Sequence, residues 1–305
     1  MTTDCPILVF AYHEVGYRCL DLLIARKERV VAVFTHEDAP GERIWFRSVA
    51  ELARRHGIPV HTPVSLKGAV VDEIRALAPD LVFSFYYRYM IPPDVLRVPR
   101  LGAFNMHGSL LPRYRGRVPI NWAIIHGETE TGATLHHMVR RADAGDIVDQ
   151  QAVPVGPLDS AQDVFYKVTE AAVAILDRNL AALKAGRAPR RPQDEGQATT
   201  FSGRRPEDGR IDWNWSSQAI FDFVRALTEP YPGAFTTTGG RTLLIWWGRP
   251  VERPPVGEAQ AGEILSTQPL IVATGDGAFR IDRAQWAHGE AAAPGEFVRF
   301  EVLGA

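Results

Sequence analysis

Three short apolar runs, residues 7–10, 30–35 and 81–85, recur in the first hundred positions with helical patterns between them. That alternation constrains the fold more than any other feature. Each run is rich in β-branched or aromatic residues and too brief for a buried helix, so each reads as a strand covered on both faces. Between the first two, Leu20, Leu22, Leu23 and Ile24 sit among charges in a helical stretch. The next helix is expected over 46–56, with Val49, Leu52 and Ala53 on one face and Gly57 as its stop. Residues 67–78 repeat the pattern and Pro79 closes it. Such alternation calls for an α/β fold, a Rossmann-like parallel sheet with helices on both faces. Further strands are predicted at 103–106, 134–138 and 147–153, followed by a long helix over 161–185.

Residues 186–203 are rich in Pro, Gly, Arg and Gln with no apolar period, which marks a linker and a boundary near 203. The expected domains are therefore 1–203 and 204–305. Beyond the boundary, residues 216–227 predict one amphipathic helix. Short β-like pieces at 242–247, 263–266, 270–274 and 279–284 follow, separated by Gly and Pro. That is the texture of a small barrel or sandwich.

Charge narrows the partners. Lys plus Arg is 34 against 36 for Asp plus Glu, and residues 204–305 hold 10 basic and 13 acidic side chains. A chain that grips a polyanion ordinarily carries a basic excess, so no nucleic-acid partner is expected. Two cysteines, Cys5 and Cys19, cannot staple a chain of 305 residues, which suits a reducing compartment. The start lacks the basic segment of a secretory signal, and no run reaches the roughly 18 apolar residues of a membrane span. A cytoplasmic protein is expected.

The loop after the first strand, residues 11–16, has one glycine, Gly16. It is neither G-x-G-x-x-G nor a P-loop, so dinucleotide or ATP binding of those kinds is not expected there. The informative stretch comes later. Asn105 and His107 are two apart at the end of a predicted strand, so both side chains face the same way. One is an amide donor and the other exchanges a proton near neutral pH. The carboxyl end of a parallel strand is where ligands bind, and Gly108 permits a sharp turn and close approach to the backbone. Taken alone, an N-x-H pair more often just ties down a turn. A second polar cluster, Arg140-Arg141-Ala142-Asp143-Ala144-Gly145-Asp146, follows the run at 134–138. An Asp beside a His orients the imidazole and favours its charged form, although an Asp in such a loop equally serves as a cap. His136 and His137 are adjacent in a strand and point to opposite faces, so they do not form a metal pair, and no Cys/His spacing suggests a metal site.

The pattern Asn105-x-His107-x-Ser109-Leu110-Leu111-Pro112-x-Tyr114-x-Gly116, with Asp143-Ala144-Gly145-Asp146-Ile147-Val148 downstream, resembles the 10-formyltetrahydrofolate-dependent formyltransferases. Ile220-x-x-x-Val224-Arg225-Ala226-Leu227-x-x-Pro230-x-Pro232-Gly233-Ala234-Phe235 is similar to the start of that family's C-terminal domain, a small OB-like barrel. The likeness thus covers essentially the whole chain. Within the family, Val9-Phe10-Ala11-Tyr12-His13, Phe34-Thr35-His36, the run 83–88 and the run 127–132 look like formyltransferase domains acting on UDP-4-amino-4-deoxy-L-arabinose. These form half of a bifunctional polymyxin-resistance enzyme, and the present 305 residues correspond to that half.

The resemblance implies formyl transfer from 10-formyltetrahydrofolate, as co-substrate, to a sugar amine, without a metal. Asn105, His107 and Asp143 would be catalytic. Asn105 would donate to the developing oxyanion, His107 would shuttle the proton, and Asp143 would orient His107. Tyr89, Met90, Ile91, Arg117, Val139, Arg140, Arg141, Ala142 and Asp143 would contact the folate, whose flat ring suits apolar surface with backbone polar groups. Ser109, Arg113, Tyr114 and Arg115 would place the sugar nucleotide, arginine forks matching phosphate oxygens. The expected partners are small molecules, with an oligomer left open. The implied role is lipid A modification and polymyxin resistance.

Alternatives stay open at this point. An N-formyltransferase for another nucleotide-linked amino sugar fits the same residues. A methionyl-tRNA formyltransferase shares the triad but needs positive surface and a basic insertion, where the stretch 36–43 is short and partly acidic. A folate deformylase would need water beside His107, and a non-catalytic binding module would have no use for all three polar groups.

Overall fold

The computed structural model describes residues 4–38, 41, 43–252, 259–287, 289–292 and 302–304. Ala39, Pro40 and Glu42, within the partly acidic stretch noted above, lie outside the described residues. Contacts divide the chain into two compact units. One comprises Met1–Pro119, Glu130–Pro154 and Phe165–Ser202, and the other Ile120–Thr129, Val155–Val164 and Gly203–Ala305.

The first unit is built on β1 (Ile7–Ala11), α1 (His13–Ala25), β2 (Val30–Phe34), α2 (Val49–Arg55), β3 (Val60–His61), α3 (Ala69–Ala76), β4 (Leu81–Phe85) and α4 (Pro93–Leu96). β5 (Gly102–His107) follows, then the short β6 (Arg115–Gly116), β7 (Glu130–His137), β8 (Ile147–Pro154), most of α6 (Ala161–Lys184) and β9 (Thr200–Phe201), while α5 (Pro119–Ile125) falls almost wholly in the second unit. The seven-stranded sheet has the order β3-β2-β1-β4-β5-β7-β8. Every residue of β1 and β4 is buried, as expected of strands covered on both faces. Leu8, Phe10, Ala32, Phe34 and Val82 pack with Val71, Ile74 and Val95 of α3 and α4. The alternate residues of β1 face α1, where Gly16 lets the helix come close. A Cβ there would lie 3.2 Å from the Phe85 carbonyl oxygen. The one glycine of the first loop therefore serves packing.

The sheet departs from a wholly parallel one. β5 pairs parallel with β4, but β7 pairs antiparallel with β5, and β8 antiparallel with β7. Strand order reverses between β1 and β4, which opens a crevice at their carboxyl ends. α2 starts at Val49 rather than 46, because the Ser48 side chain caps it by accepting from the Glu51 N–H (3.2 Å). Trp45 and Phe46 instead pack around His13, with ring centroids 4.7 and 3.9 Å away.

The expected linker is not free chain. Arg191 bridges to Ile147, and β9 pairs with β6. Its polar side chains find partners inside the first unit, which a periodicity argument does not detect.

The second unit contains α7 (Ser217–Leu227) and the strands β10 (Ala234–Thr238), β11 (Arg241–Val251), β12 (Ile264–Thr267), β13 (Leu270–Ala273) and β14 (Ala278–Trp286). They form an antiparallel sheet of order β10-β11-β14-β13-β12. α7 is capped by Ser216, whose hydroxyl accepts from the Ala219 N–H at 3.1 Å. It buries the ion pair Arg225–Asp222 at 2.7 Å, and Arg225 also donates to the Asp159 carbonyl at 2.8 Å. Arg204 lies over the Trp122 ring at 4.8 Å, and burial lowers its pKa from the usual value. No helix of the described residues is long and apolar enough to cross a membrane.

Candidate active site

β5 delivers Asn105 and His107 to one face at its carboxyl end, as their spacing predicts. The antiparallel neighbour β7 sets His136 opposite Asn105 and Thr134 opposite His107. Asp143 arrives from the β7–β8 loop in a left-handed backbone conformation, φ 53°, which Asp tolerates better than most residues. Gly145 makes that loop possible. A Cβ there would sit 1.8 Å from the His137 carbonyl oxygen, so the small residue accommodates the chain's own backbone.

The three polar groups converge. Asp143 Oδ1 is 3.6 Å from His107 Nδ1 and 3.4 Å from Asn105 Nδ2, and its Oδ2 accepts from the Gly116 N–H at 2.9 Å. Burial by itself would raise the Asp143 pKa. The charge of His107, the contact with His136 and the Gly116 N–H outweigh it and hold the carboxyl well below the usual range. The group is thus an anion throughout the physiological range. His107 Nε2 lies 2.7 Å from the Tyr114 carbonyl oxygen, which only accepts, so that nitrogen carries a hydrogen.

The loop after β5 is held from several sides. Thr134 Oγ1 donates to the Ser109 carbonyl (2.6 Å) and accepts from the Leu111 N–H (3.2 Å). Ser109 Oγ donates to the Arg113 carbonyl at 2.7 Å, and the Tyr114 N–H donates to Thr199 Oγ1 at 2.8 Å. Against Gly108 lies the Tyr86 hydroxyl, 2.1 Å from where a Cβ would stand. The close approach expected at that glycine is made by a side chain of the protein.

Ser109 and Arg115 sit differently from the expectation that they face a sugar nucleotide. Ser109 is fully buried and its hydroxyl is spent on the loop itself. Arg115 is 1% exposed, and its fork is taken up by Glu195 (2.7 Å) and Gln193 (2.7 Å). Gln193 Nε2 in turn donates to the carbonyls of Asp143 and Gly145, at 2.8 and 2.7 Å. Tyr114 is buried and stacks on Phe201 at 5.2 Å. Arg113 remains exposed. These buried polar residues hold the loop because an unpaired guanidinium or hydroxyl in that setting would be costly.

Among the expected folate residues, Tyr89, Met90 and Val139 are apolar yet well exposed, at 47%, 61% and 44%. Arg117, Arg140, Arg141 and Ala142 are exposed as well. Arg141 pairs with Glu195 at 2.9 Å and Arg117 donates to the Arg88 carbonyl at 3.3 Å. Ile91 is buried in the core beneath them, so its backbone is what it offers a ligand. A cavity of about 260 Å³ is lined by Tyr12, His36, Asp38, Phe46, Arg47 and Thr62, and His36 meets the Tyr89 ring edge-on with centroids 4.6 Å apart.

Sequence reasoning missed His136, Thr134, Gln193 and Glu195. His136 and His137 do point apart, His137 Nε2 meeting the Pro189 carbonyl at 2.9 Å, yet His136 belongs to the polar cluster. The alternation of β7 held the available signal, since Thr134 and His136 share a face. Among the described residues, no group of three or more His, Cys, Asp or Glu is placed to hold a metal ion.

The formyl transferase family model matches residues 9–180, and the model for the formyl transferase C-terminal domain matches residues 204–300. The chain belongs to the formyl transferase family. The fold is similar to an N-formyltransferase from Helicobacter canadensis solved with folinic acid and dTDP-3-aminofucose. That likeness has 18% identity, a TM-score of 0.70, and covers 94% of this chain and 99% of the other. It is also similar to WlaRD, a sugar 3N-formyl transferase solved with dTDP and 5-N-formyl-THF (20% identity, TM-score 0.68, 93% and 98% covered). HypX from Aquifex aeolicus, solved with tetrahydrofolic acid, matches at 20% identity and TM-score 0.66, with 96% and 47% covered. This formyl transferase family member therefore spans about half the length of the HypX chain.

Proposed function

We propose that this chain transfers the formyl group of 10-formyltetrahydrofolate to the amine of a nucleotide-linked sugar, with UDP-4-amino-4-deoxy-L-arabinose as the acceptor. The observation that carries this reading is the convergence of Asn105 and His107 on one carboxylate oxygen of Asp143, at 3.4 and 3.6 Å, at the end of β5. The structural relatives solved with folates and dTDP-linked ligands support the same class of reaction.

The folate supplies an activated one-carbon unit on nitrogen. When the sugar amine adds to the formyl carbon, the carbonyl oxygen gains negative charge, and Asn105 stabilises it by donating an N–H. Such a preorganised donor contributes about 3–4 kcal/mol. His107, whose Nε2 carries a hydrogen, gives that hydrogen to the departing nitrogen and takes up the proton that the amine loses, a contribution of about 10²–10⁴-fold. Asp143 stays anionic, faces His107 Nδ1 and so leaves Nε2 as the edge that exchanges protons. That exchange requires Nε2 to leave the Tyr114 carbonyl, its 2.7 Å partner. The exposed apolar surface of Tyr89, Met90 and Val139 suits a flat heterocycle, with Ile91 and the 139–143 loop offering backbone groups. Arg113 is the exposed arginine of the loop for a sugar-linked diphosphate. In this reading Ser109, Tyr114 and Arg115 support the loop from beneath. The product, in the same reading, serves lipid A modification and polymyxin resistance.

The deciding experiment is an acceptor screen with 10-formyltetrahydrofolate. UDP-4-amino-4-deoxy-L-arabinose, dTDP-linked amino sugars and charged initiator tRNA are compared by kcat/KM. Preference for the UDP-linked amine supports the proposal. Preference for a dTDP-linked amine moves the acceptor, and turnover with tRNA alone overturns the sugar class.

A further inference from the structure

His136 is 2% exposed and stands opposite Asn105 across the β5–β7 pairing. Its Nδ1 is 2.9 Å from the His137 carbonyl oxygen, an acceptor only, so Nδ1 carries a hydrogen. Its Nε2 is 3.1 Å from Asn105 Nδ2 and 3.4 Å from Asp143 Oδ1. Asn105 Nδ2 also lies 3.4 Å from that same carboxylate oxygen. With the amide nitrogen so placed, both amide hydrogens point at His136 and Asp143, and Nε2 must be bare to accept one.

That arrangement holds two conflicts. A bare Nε2 would set its lone pair against an anionic carboxylate oxygen. The amide oxygen, which donates nothing, would be the edge that neither His136 nor Asp143 engages, the wrong polarity for a developing oxyanion. A hydrogen on Nε2 resolves both, and it bridges the 3.4 Å contact that the turned amide oxygen of Asn105 then makes with Asp143 Oδ1. It donates to Asp143 Oδ1 or to Asn105 Oδ1, once a half-turn of the amide exchanges its oxygen and nitrogen in nearly the same space. The groups facing His136 allow this. They are the Asp143 carboxylate, the Asn105 amide and the His137 carbonyl, and His107 Nδ1 lies 3.6 Å from the same carboxylate oxygen. Asp146 and Arg190 lie beside the neighbouring His137.

We propose that His136 is a positioning residue that decides which edge of the Asn105 amide meets the reacting carbonyl. Carrying hydrogens on both ring nitrogens, it accepts nothing from Asn105 and turns the NH2 outward. The inference rests on the oxyanion role proposed for Asn105, and it concerns a group that touches neither substrate.

Two measurements on the full chain test it. Nitrogen-15 NMR of the His136 ring, with 5-formyltetrahydrofolate present, should show both nitrogens bearing hydrogen at a pH where the protein turns over. Asp143→Asn should leave one bare. A bare nitrogen in the wild-type ring overturns the proposal, and the spectrum decides this whether or not formyl transfer is found. Kinetically, His136→Leu should lower kcat about 10²-fold, the order expected of a misplaced catalytic group, with both KM values held. His136→Gln, which keeps an N–H donor, should recover most of the loss. In an Asn105→Ala background, His136→Leu should cost nothing further. Equal losses in both backgrounds would mean that His136 acts through packing alone and would overturn the proposal. A wild-type protein that formylates no amine would instead sink the formyl-transfer reading.

Discussion

Thr134 stands directly across from His107, and its hydroxyl ties together two backbone groups of the loop that His107 begins. It donates to the Ser109 carbonyl at 2.6 Å and accepts from the Leu111 N–H at 3.2 Å. A side chain with no chemistry of its own thereby sets where the proton-exchanging group and its loop meet.

Thr134→Val keeps the shape and removes the hydroxyl. Two buried backbone groups lose their partner, which costs about 1–3 kcal/mol of stability. The expected result is a lower urea midpoint with unchanged slope, and a reduced kcat because the loop below His107 loosens.

Asp143 contributes stability with a definite pH dependence. Its folded pKa lies below the ordinary value of about 3.9, so the folded state binds fewer protons than the unfolded chain just below that pH. The contribution is therefore fully present above about pH 4 and declines as pH falls toward the depressed folded value. Urea midpoints of the wild type should drop more steeply than those of Asp143→Asn below that pH. Parallel profiles would show that Asp143 is not held as an anion.

Gly145→Ala places a methyl group where the His137 carbonyl oxygen stands, 1.8 Å away. Backbone must shift to admit it, at about 1–3 kcal/mol of overpacking strain. Because Asp143 is two residues away, activity should fall together with melting temperature. Thermal melts and kcat measured side by side check the coupling.

Met90 is 61% exposed, so replacing it with Ala should leave the melting temperature within a degree or so, as surface changes do. If it lines the folate surface, KM for 10-formyltetrahydrofolate should rise severalfold while kcat holds. A changed kcat with unchanged KM would remove Met90 from that surface.

Much of the first unit was legible because its signals are local. The runs that became β1, β2 and β4 are apolar on both faces, and the long helix α6 falls within one residue of the expected 161–185. Asn105 and His107 were readable as same-face partners because a strand repeats every two residues. The start of α1 at His13 was not legible, since its left-handed φ of 65° is imposed by surrounding chain. Nor was the segment 186–203, whose Gln193 and Glu195 look like solvated polar residues until Arg115 is seen between them.

Periodicity and residue chemistry alone determined the strand-and-helix alternation, the shared face of Asn105 and His107, and the presence of an acidic partner downstream. Such properties depend on neighbours a few positions away. Only the tertiary structure decided that β7 runs antiparallel to β5, which sets His136 and Thr134 against the pair, and that Arg115 turns inward to Glu195. Those outcomes depend on strand register and on which buried polar groups find partners across tens of residues. No local pattern encodes that choice.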